Sequence, residues 1–396
     1  MQRIFAAFVA AVLVSAPAAA QPSVTASVSP GVTSITGDKA SGAMSASGRF
    51  EHLFDARRVR VVYKLDRGDF STPGDWRFLT HSAGGSYELK LGSAGRHSLH
   101  VGGDGVLRRN GESWSAADFN GAGAFANLEL RPGRANVRTG YRLDVRRFPT
   151  LPAMDQMQHS AFGSVLVNFE TRTTLIGEIS FGSKSYEAVS PRTEVVAVPT
   201  EPATGMLGRG TGRGSGMANM SLVPVVTPGS PGSDAQQVTV FVRVAQSLAS
   251  RTGLSIEFSR RRVSGQVTPA LVATPALFID DGIYDDLFAS DATRGGVTLK
   301  SIAGAGIELA GSIAWTDKRY GATSAFDEHG LALQDVLRHD RVTMAQAYAE
   351  WPLFPFRTGG VALDLITGYD YTRHSSTSAL YRYTAHTVRV AFGVSY

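Results

Sequence analysis

The sequence predicts an all-β fold: one antiparallel transmembrane β-barrel of about sixteen strands (roughly 12 to 18), with long extracellular loops and short periplasmic turns. Three observations predict it. Segment after segment carries one apolar and one polar or charged face at period two. The connections between these segments alternate short and long along the chain. After an export signal, no apolar run is long enough to cross a bilayer as a helix.

Composition narrows the function classes. The 396 residues are 43% hydrophobic but only 18% charged, with 43 glycines and no cysteine. Absence of cysteine excludes disulfides, thiol catalysis, Cys-ligated metals and a lipoprotein anchor. The formal net charge is +5 without a dense basic run, so nothing points to nucleic acid. Residues 1–20 read as a secretory signal peptide: Arg3 supplies the positive region, 4–14 the apolar region, and Ala18-Ala19-Ala20 the small-residue cleavage site. The mature part, 21–396, is expected to form a single barrel domain with a long flexible loop at 188–236.

Taken in order, 23–32 is a first strand candidate, and 44–53 pairs with 58–67 across a tight turn. In the second of these, Val59, Val61, Tyr63 and Leu65 share a face opposite Arg60, Lys64 and Asp66. Segment 86–91 sets Tyr87, Leu89 and Leu91 against Glu88 and Lys90, and 97–109 sets Leu99, Val101 and Leu107 against His100, Asp104 and Arg108. After 117–130, the turn Arg131-Pro132-Gly133-Arg134 leads to 135–148. There Val137, Thr139, Tyr141, Leu143 and Val145 oppose Arg138, Arg142, Asp144 and Arg146. A soluble core does not accept three arginines on one strand face, whereas a wet lumen does.

Segments 157–170 and 173–187 form a hairpin across Thr171-Arg172, with Glu178 opposite Leu175, Ile179 and Phe181. Residues 188–236 break the rhythm with a Pro-, Gly- and Ser-rich stretch. Its glycine run at 208–216 follows no βα unit and is not a phosphate loop. The rhythm resumes with 238–250, which carries Arg243, and 254–263, which carries Glu257. A second long loop, 268–291, holds Asp280, Asp281, Asp285, Asp286 and Asp291, without the spacing of a Ca²⁺ loop. Segments 293–303 and 305–319 contribute Lys300 and Glu308; 320–340 reads as a third long loop. The Ala-rich stretch 341–351 fits a strand or a helix. Segment 361–371 places Asp364 and Asp370 opposite Leu363, Leu365 and Tyr369.

The last strand ends on the last residue. Val388, Val390, Phe392, Val394 and Tyr396 fall on one face, and Thr387, Arg389, Ala391, Gly393 and Ser395 on the other. With this tail the chain resembles Gram-negative outer-membrane β-barrel proteins, a broad porin-like class. The resemblance implies a barrel-assembly machinery that reads Phe392, Val394 and Tyr396, and a location in the cell outer membrane. Outer-membrane lipid and lipopolysaccharide are then expected partners. Counted back from that end, the turns near 355, 304, 252, 172, 133, 94 and 56 share the periplasmic side and are short. Those near 376, 330, 280, 210, 153, 112, 72 and 38 share the other side, where the longest all lie. Aromatic residues near strand ends, among them Tyr63, Tyr141, Trp315, Trp351, Tyr369 and Tyr371, fit interfacial girdles.

The charged faces would line the lumen. Candidate pore residues are Arg60, Lys64, Lys90, Arg138, Arg142, Asp144, Arg146, Glu178, Arg243, Glu257, Glu308, Asp364 and Arg389. Their slight positive excess gives a weak anion preference as an expectation. No nucleophile–base grouping emerges from the scattered histidines; only His97 and His100 lie close enough to suggest a shared site. The reading is therefore a non-enzymatic channel for passive passage of small solutes, without cofactor or metal. A barrel acting as surface scaffold, adhesin or component of an export complex is the alternative. A barrel hydrolase and a soluble secreted β-protein are less well supported.

Overall fold

The structure, a computed structural model, describes residues 23–36, 43–54, 58–70, 77–92, 96–187, 192–199, 220–227, 234–265, 287–328, 331–353 and 362–395. The expected signal peptide, the glycine run at 208–216, Tyr396 and the acidic residues Asp280, Asp281, Asp285 and Asp286 lie outside them. The first half of the chain forms β1 (Ser23–Thr36), β2 (Ala43–Phe54), β3 (Val59–Phe70), β4 (Arg77–Leu91), β5 (His97–Asn110), β6 (Phe119–Leu130), β7 (Ala135–Arg147), β8 (Gln156–Asn168) and β9 (Thr173–Tyr186). A hairpin of β10 (Arg192–Pro199) and β11 (Met220–Thr227) follows. The second half forms β12 (Asp234–Ala249), β13 (Thr252–Gly265), β14 (Ser290–Ile302), β15 (Glu308–Phe326), β16 (Ala332–Pro352), β17 (Ala362–Ser376) and β18 (Tyr383–Ser395).

Sixteen of these strands close into one barrel; β10 and β11 form a separate two-stranded sheet. Each barrel strand pairs antiparallel with its sequence neighbour, β12 pairs with β9 across the β10–β11 insertion, and β18 returns to β1. That last seam runs from Thr25↔Ser395 to Thr36↔Thr384. Closure leaves the barrel without an unpaired edge, the condition for a β-structure in hydrocarbon.

The apolar residues point out. Along β12, Val238, Val240, Val242 and Val244 are 38%, 46%, 40% and 43% exposed. Ile256 and Phe258 on β13, Val297 and Leu299 on β14, and Ile313 and Trp315 on β15 continue the same belt. In water such a belt would be an aggregation surface; facing lipid, it supplies the hydrophobic stabilisation. Trp315 lies flat on Gly295 of the neighbouring strand: a Cβ there would sit 2.7 Å from the indole.

Four expectations about these segments change. Residues 341–351 are strand, because β16 is hydrogen-bonded along both edges, to β15 and to β17. The alanine run looked helical because small residues occupy the outward positions Ala345, Ala347 and Ala349, while Met344, Gln346 and Tyr348 alternate with them. The loop expected over 320–340 is largely strand. β15 runs to Phe326 and β16 starts at Ala332, with Asp327 N donating to Leu331 O at 2.9 Å across the turn. The 188–236 insertion contains the β10–β11 hairpin, and β12 begins at Asp234 inside it. The second long loop ends before Ser290, the first residue of β14, so Asp291 is a strand residue.

Candidate functional site

Strand parity and register define the inner wall. On β7, Tyr141 is 46% exposed on the outward face, so Arg138, Arg142, Asp144 and Arg146 occupy the inner one. Cross-strand pairs carry that face around the barrel. Arg138 stands opposite Ser164, Ser164 opposite Glu178, Glu178 opposite Phe241, and Arg243 opposite Glu257. By the same alternation Arg60 and Lys64 on β3, Lys90 on β4, Glu308 on β15, Asp364 on β17 and Arg389 on β18 share the inner face. All thirteen sequence candidates therefore lie on one continuous surface, although no two strands bring more than a few together.

Their partners are carboxylates on the same strand or one or two strands away. Arg142 reaches Asp104 Oδ1 at 2.8 Å and Asp144 Oδ1 at 2.6 Å. Arg243 holds Glu257 at 2.5 Å, and Arg294 approaches the other oxygen of Glu257 at 3.4 Å. Lys300 pairs with Glu308 at 2.5 Å, and Tyr348 Oη donates to Glu308 Oε1 at 2.6 Å. Arg389 meets Asp370 at 2.6 Å, Lys90 pairs with Glu88, and Arg138 shares Glu129 with Arg131. Arg146 lies over the Phe119 ring at 5.2 Å. Glu178 makes no ion pair among the described residues. Arg294 and Glu129 were not singled out by the sequence, because only the register reveals what stands opposite them.

Most of these pairs are well exposed, so each contributes at most about 1 kcal/mol to stability. Their consequence is geometric: charged side chains lie along the wall. Glycines make room for this. A Cβ at Gly123 would sit 2.5 Å from Arg142 Nη2 and 2.7 Å from Asp144 Oδ1. A Cβ at Gly102 would sit 2.7 Å from the Phe125 ring.

At the extracellular end the polar groups are buried. Arg338 stacks between Tyr381, at 3.3 Å, and Tyr320, at 4.3 Å, and pairs with Asp340 at 2.5 Å. Asp340 also accepts from Ser376 Oγ at 2.6 Å and lies 3.1 Å from His374 Nε2. Elsewhere on this rim Phe148 packs on Phe119 and Met154, and Phe288 packs against Ala235 beside Lys184. These clusters tie the loop ends to the inner wall.

Among the described residues the histidines are spread around the wall. His97 and His100, three positions apart on β5, fall on opposite faces, which removes the shared site. His97 Nδ1 accepts from the Arg131 N–H, and His100 Nε2 contacts Ser98 Oγ. Three others lie on the outward face, each bonded through Nδ1 to a tyrosine: Tyr63–His81 at 2.7 Å, Tyr141–His159 at 2.5 Å and Tyr369–His386 at 2.8 Å. Each pair satisfies two polar groups where the wall meets lipid. No group of three or more His, Asp or Glu among the described residues is placed to hold a metal ion.

No protein-family model and no curated protein sequence matches the chain. Solved structures do resemble it in shape. A bacterial polysaccharide outer membrane secretin shares 9% identity over 94% of this chain and 98% of its own, with a TM-score of 0.48. OccAB1 of Acinetobacter baumannii shares 10% identity over 95% of this chain and 96% of its own, with a TM-score of 0.49. CdiB from the same organism shares 7% identity over 93% of this chain and 60% of its own, also at 0.49. The closed ladder, the outward apolar belt and the loop asymmetry make this chain an outer-membrane β-barrel of porin-like architecture.

Proposed function

We propose that the barrel is a channel for passive passage of small solutes across the outer membrane. The observation that carries this reading is the inner wall, where opposed charges are paired along the surface rather than packed with apolar side chains. A sixteen-stranded barrel is wide enough for an aqueous path. In this reading the chain is exported by its cleaved signal and catalyses no reaction. Reconstituted in planar bilayers, the purified protein is expected to give stepwise conductance; a barrel that inserts without conducting overturns the proposal.

Cation preference or anion preference follows from how the charges are shared. Arg243 and Arg294 converge on the single Glu257, and Arg138 and Arg131 on Glu129. The expected result is a weak anion preference, read as the sign of the reversal potential across a salt gradient. A clear cation preference would refute that sign.

Gly123→Val tests whether Arg142 borders the path. The new side chain has to displace the guanidinium, which is the flexible end of a long side chain. The barrel is expected to fold with unchanged heat-modifiable migration, while single-channel conductance falls. Unchanged conductance would place Arg142 off the permeation route.

A second reading, a surface scaffold, is favoured by one feature: β15 continues outward well past Trp315 and pairs there with β16 up to Phe326↔Ala332. Liposomes that fail to swell in permeant sugars would favour it over the channel.

A further inference from the structure

A second charged surface lies on the outside of the barrel, on β13 to β16, directly above the apolar belt. Register assembles it in two rows. In the lower one Arg260 faces Thr293, Thr293 faces Asp317, and Asp317 faces Arg341. In the upper one Asp291 faces Arg319 and Arg319 faces His339, while Arg262 bonds to Asp291 at 2.8 Å. Parity places both rows on the same face as Phe258, Val297, Ile313 and Trp315, which are 49%, 40%, 55% and 50% exposed immediately below. Charge and grease are therefore stacked on one outward wall.

The patch is positive. One carboxylate, Asp317, lies among Arg319 at 3.3 Å, His339 at 2.8 Å and Arg341 at 3.6 Å. Arg262, Arg319 and Arg341 keep 66%, 76% and 74% of their side-chain surface exposed despite these contacts. Guanidinium groups at a hydrocarbon boundary are costly unless an anion meets them. Their planar fork suits phosphate, which can be held by two parallel hydrogen bonds. The two aspartates between the arginines are engaged at all four oxygens and hold the guanidinium groups in place. The wall beneath is mainly apolar, as acyl chains require, with Thr343 the polar side chain directly below Arg341.

We infer that this patch binds a phosphorylated glycolipid of the outer leaflet, its phosphates on Arg262, Arg319 and Arg341 and its acyl chains along Phe258, Ile313 and Trp315. The inference concerns the outer surface and stands whether or not the lumen conducts.

Native mass spectrometry of the detergent-solubilised full-length protein tests it, with bisphosphorylated lipid A, dephosphorylated lipid A, phosphatidylglycerol and inorganic phosphate as probes. Bisphosphorylated lipid A is expected to bind at least about tenfold more tightly than the other three. R319Q/R341Q is expected to weaken that binding about tenfold or more, with heat-modifiable migration retained. R147Q, which alters an outward arginine on β7, four strands along from β13 and outside the patch, is expected to leave it unchanged. Equal retention of dephosphorylated lipid A, equal binding of phosphatidylglycerol or phosphate, no loss in R319Q/R341Q, or an equal loss in R147Q would each overturn the inference. Should R319Q/R341Q fail to insert, R260Q/R262Q on the neighbouring strand takes its place with the same expected and overturning results.

Discussion

Deleting residues 392–396 is expected to abolish insertion of the barrel into the outer membrane while export of the chain proceeds. β18 is bonded on both edges, so the deletion removes rungs from two ladders at once. On one side Val28↔Phe392, Ser27↔Gly393, Ala26↔Val394 and Thr25↔Ser395 are lost. On the other, Leu365↔Phe392, Asp364↔Gly393, Leu363↔Val394 and Ala362↔Ser395 are lost. Each freed backbone group facing hydrocarbon costs several kcal/mol, and closure cannot compensate, because β1 and β17 are left apart at that height. The proposed reading of Phe392, Val394 and Tyr396 by an assembly machinery acts before closure and would add a kinetic block. Fractionation and heat-modifiable gel migration give the readout: wild type migrates as a folded barrel in outer membranes, and the truncated chain is expected only as unfolded, exported protein. Normal insertion of the truncated chain would refute the assembly role.

Most of the barrel was legible because its solvent reverses the usual pattern. In 135–147, alternation of Val137, Tyr141 and Val145 with Arg138, Arg142 and Arg146 needs no partner strand to be read. Loop lengths then ordered the strands, since only one rim tolerates long connections. What alternation cannot supply is stagger. Whether Arg243 meets Glu257, or Arg294 joins them, depends on how far one strand slides along the next, and a slip of two residues preserves both faces. Stagger also hid the tyrosine–histidine pairs, although Tyr63–His81, Tyr141–His159 and Tyr369–His386 recur at separations of 18, 18 and 17 residues. That recurring spacing was the available signal. The outward basic patch was missed for a different reason. Arg319 and Arg341 stand at the edge of segments read as loop, where parity is not assigned until the strand is known to continue.

Asp340→Ala is expected to be the most damaging single substitution at the extracellular rim. Asp340 is 0% exposed and Arg338 is 3% exposed, so the change leaves a guanidinium enclosed by Tyr320 and Tyr381 without its counter-charge. Removing one member of a buried pair costs about 3–5 kcal/mol. Ser376 Oγ loses its acceptor in the same step, and the Ser378 N–H bond to Ser376 Oγ loses its anchor. Because Ser378 Oγ in turn receives the Phe326 N–H, the disturbance crosses from β16 through β17 to the tip of β15. The periplasmic ends of the same ladders lie outside this network of side-chain bonds. The expected result is a lower transition temperature for heat-modifiable migration, together with new protease cleavage near 327–331 or 377–382 in intact cells. Replacing both partners, as Arg338→Met with Asp340→Leu, removes the stranded charge and is expected to recover most of the loss, since apolar isosteres of buried ion pairs are often neutral or stabilising. An Asp340→Ala barrel as stable and as protease-resistant as wild type would show that water reaches Arg338, and that the rim is held by the aromatic stack alone.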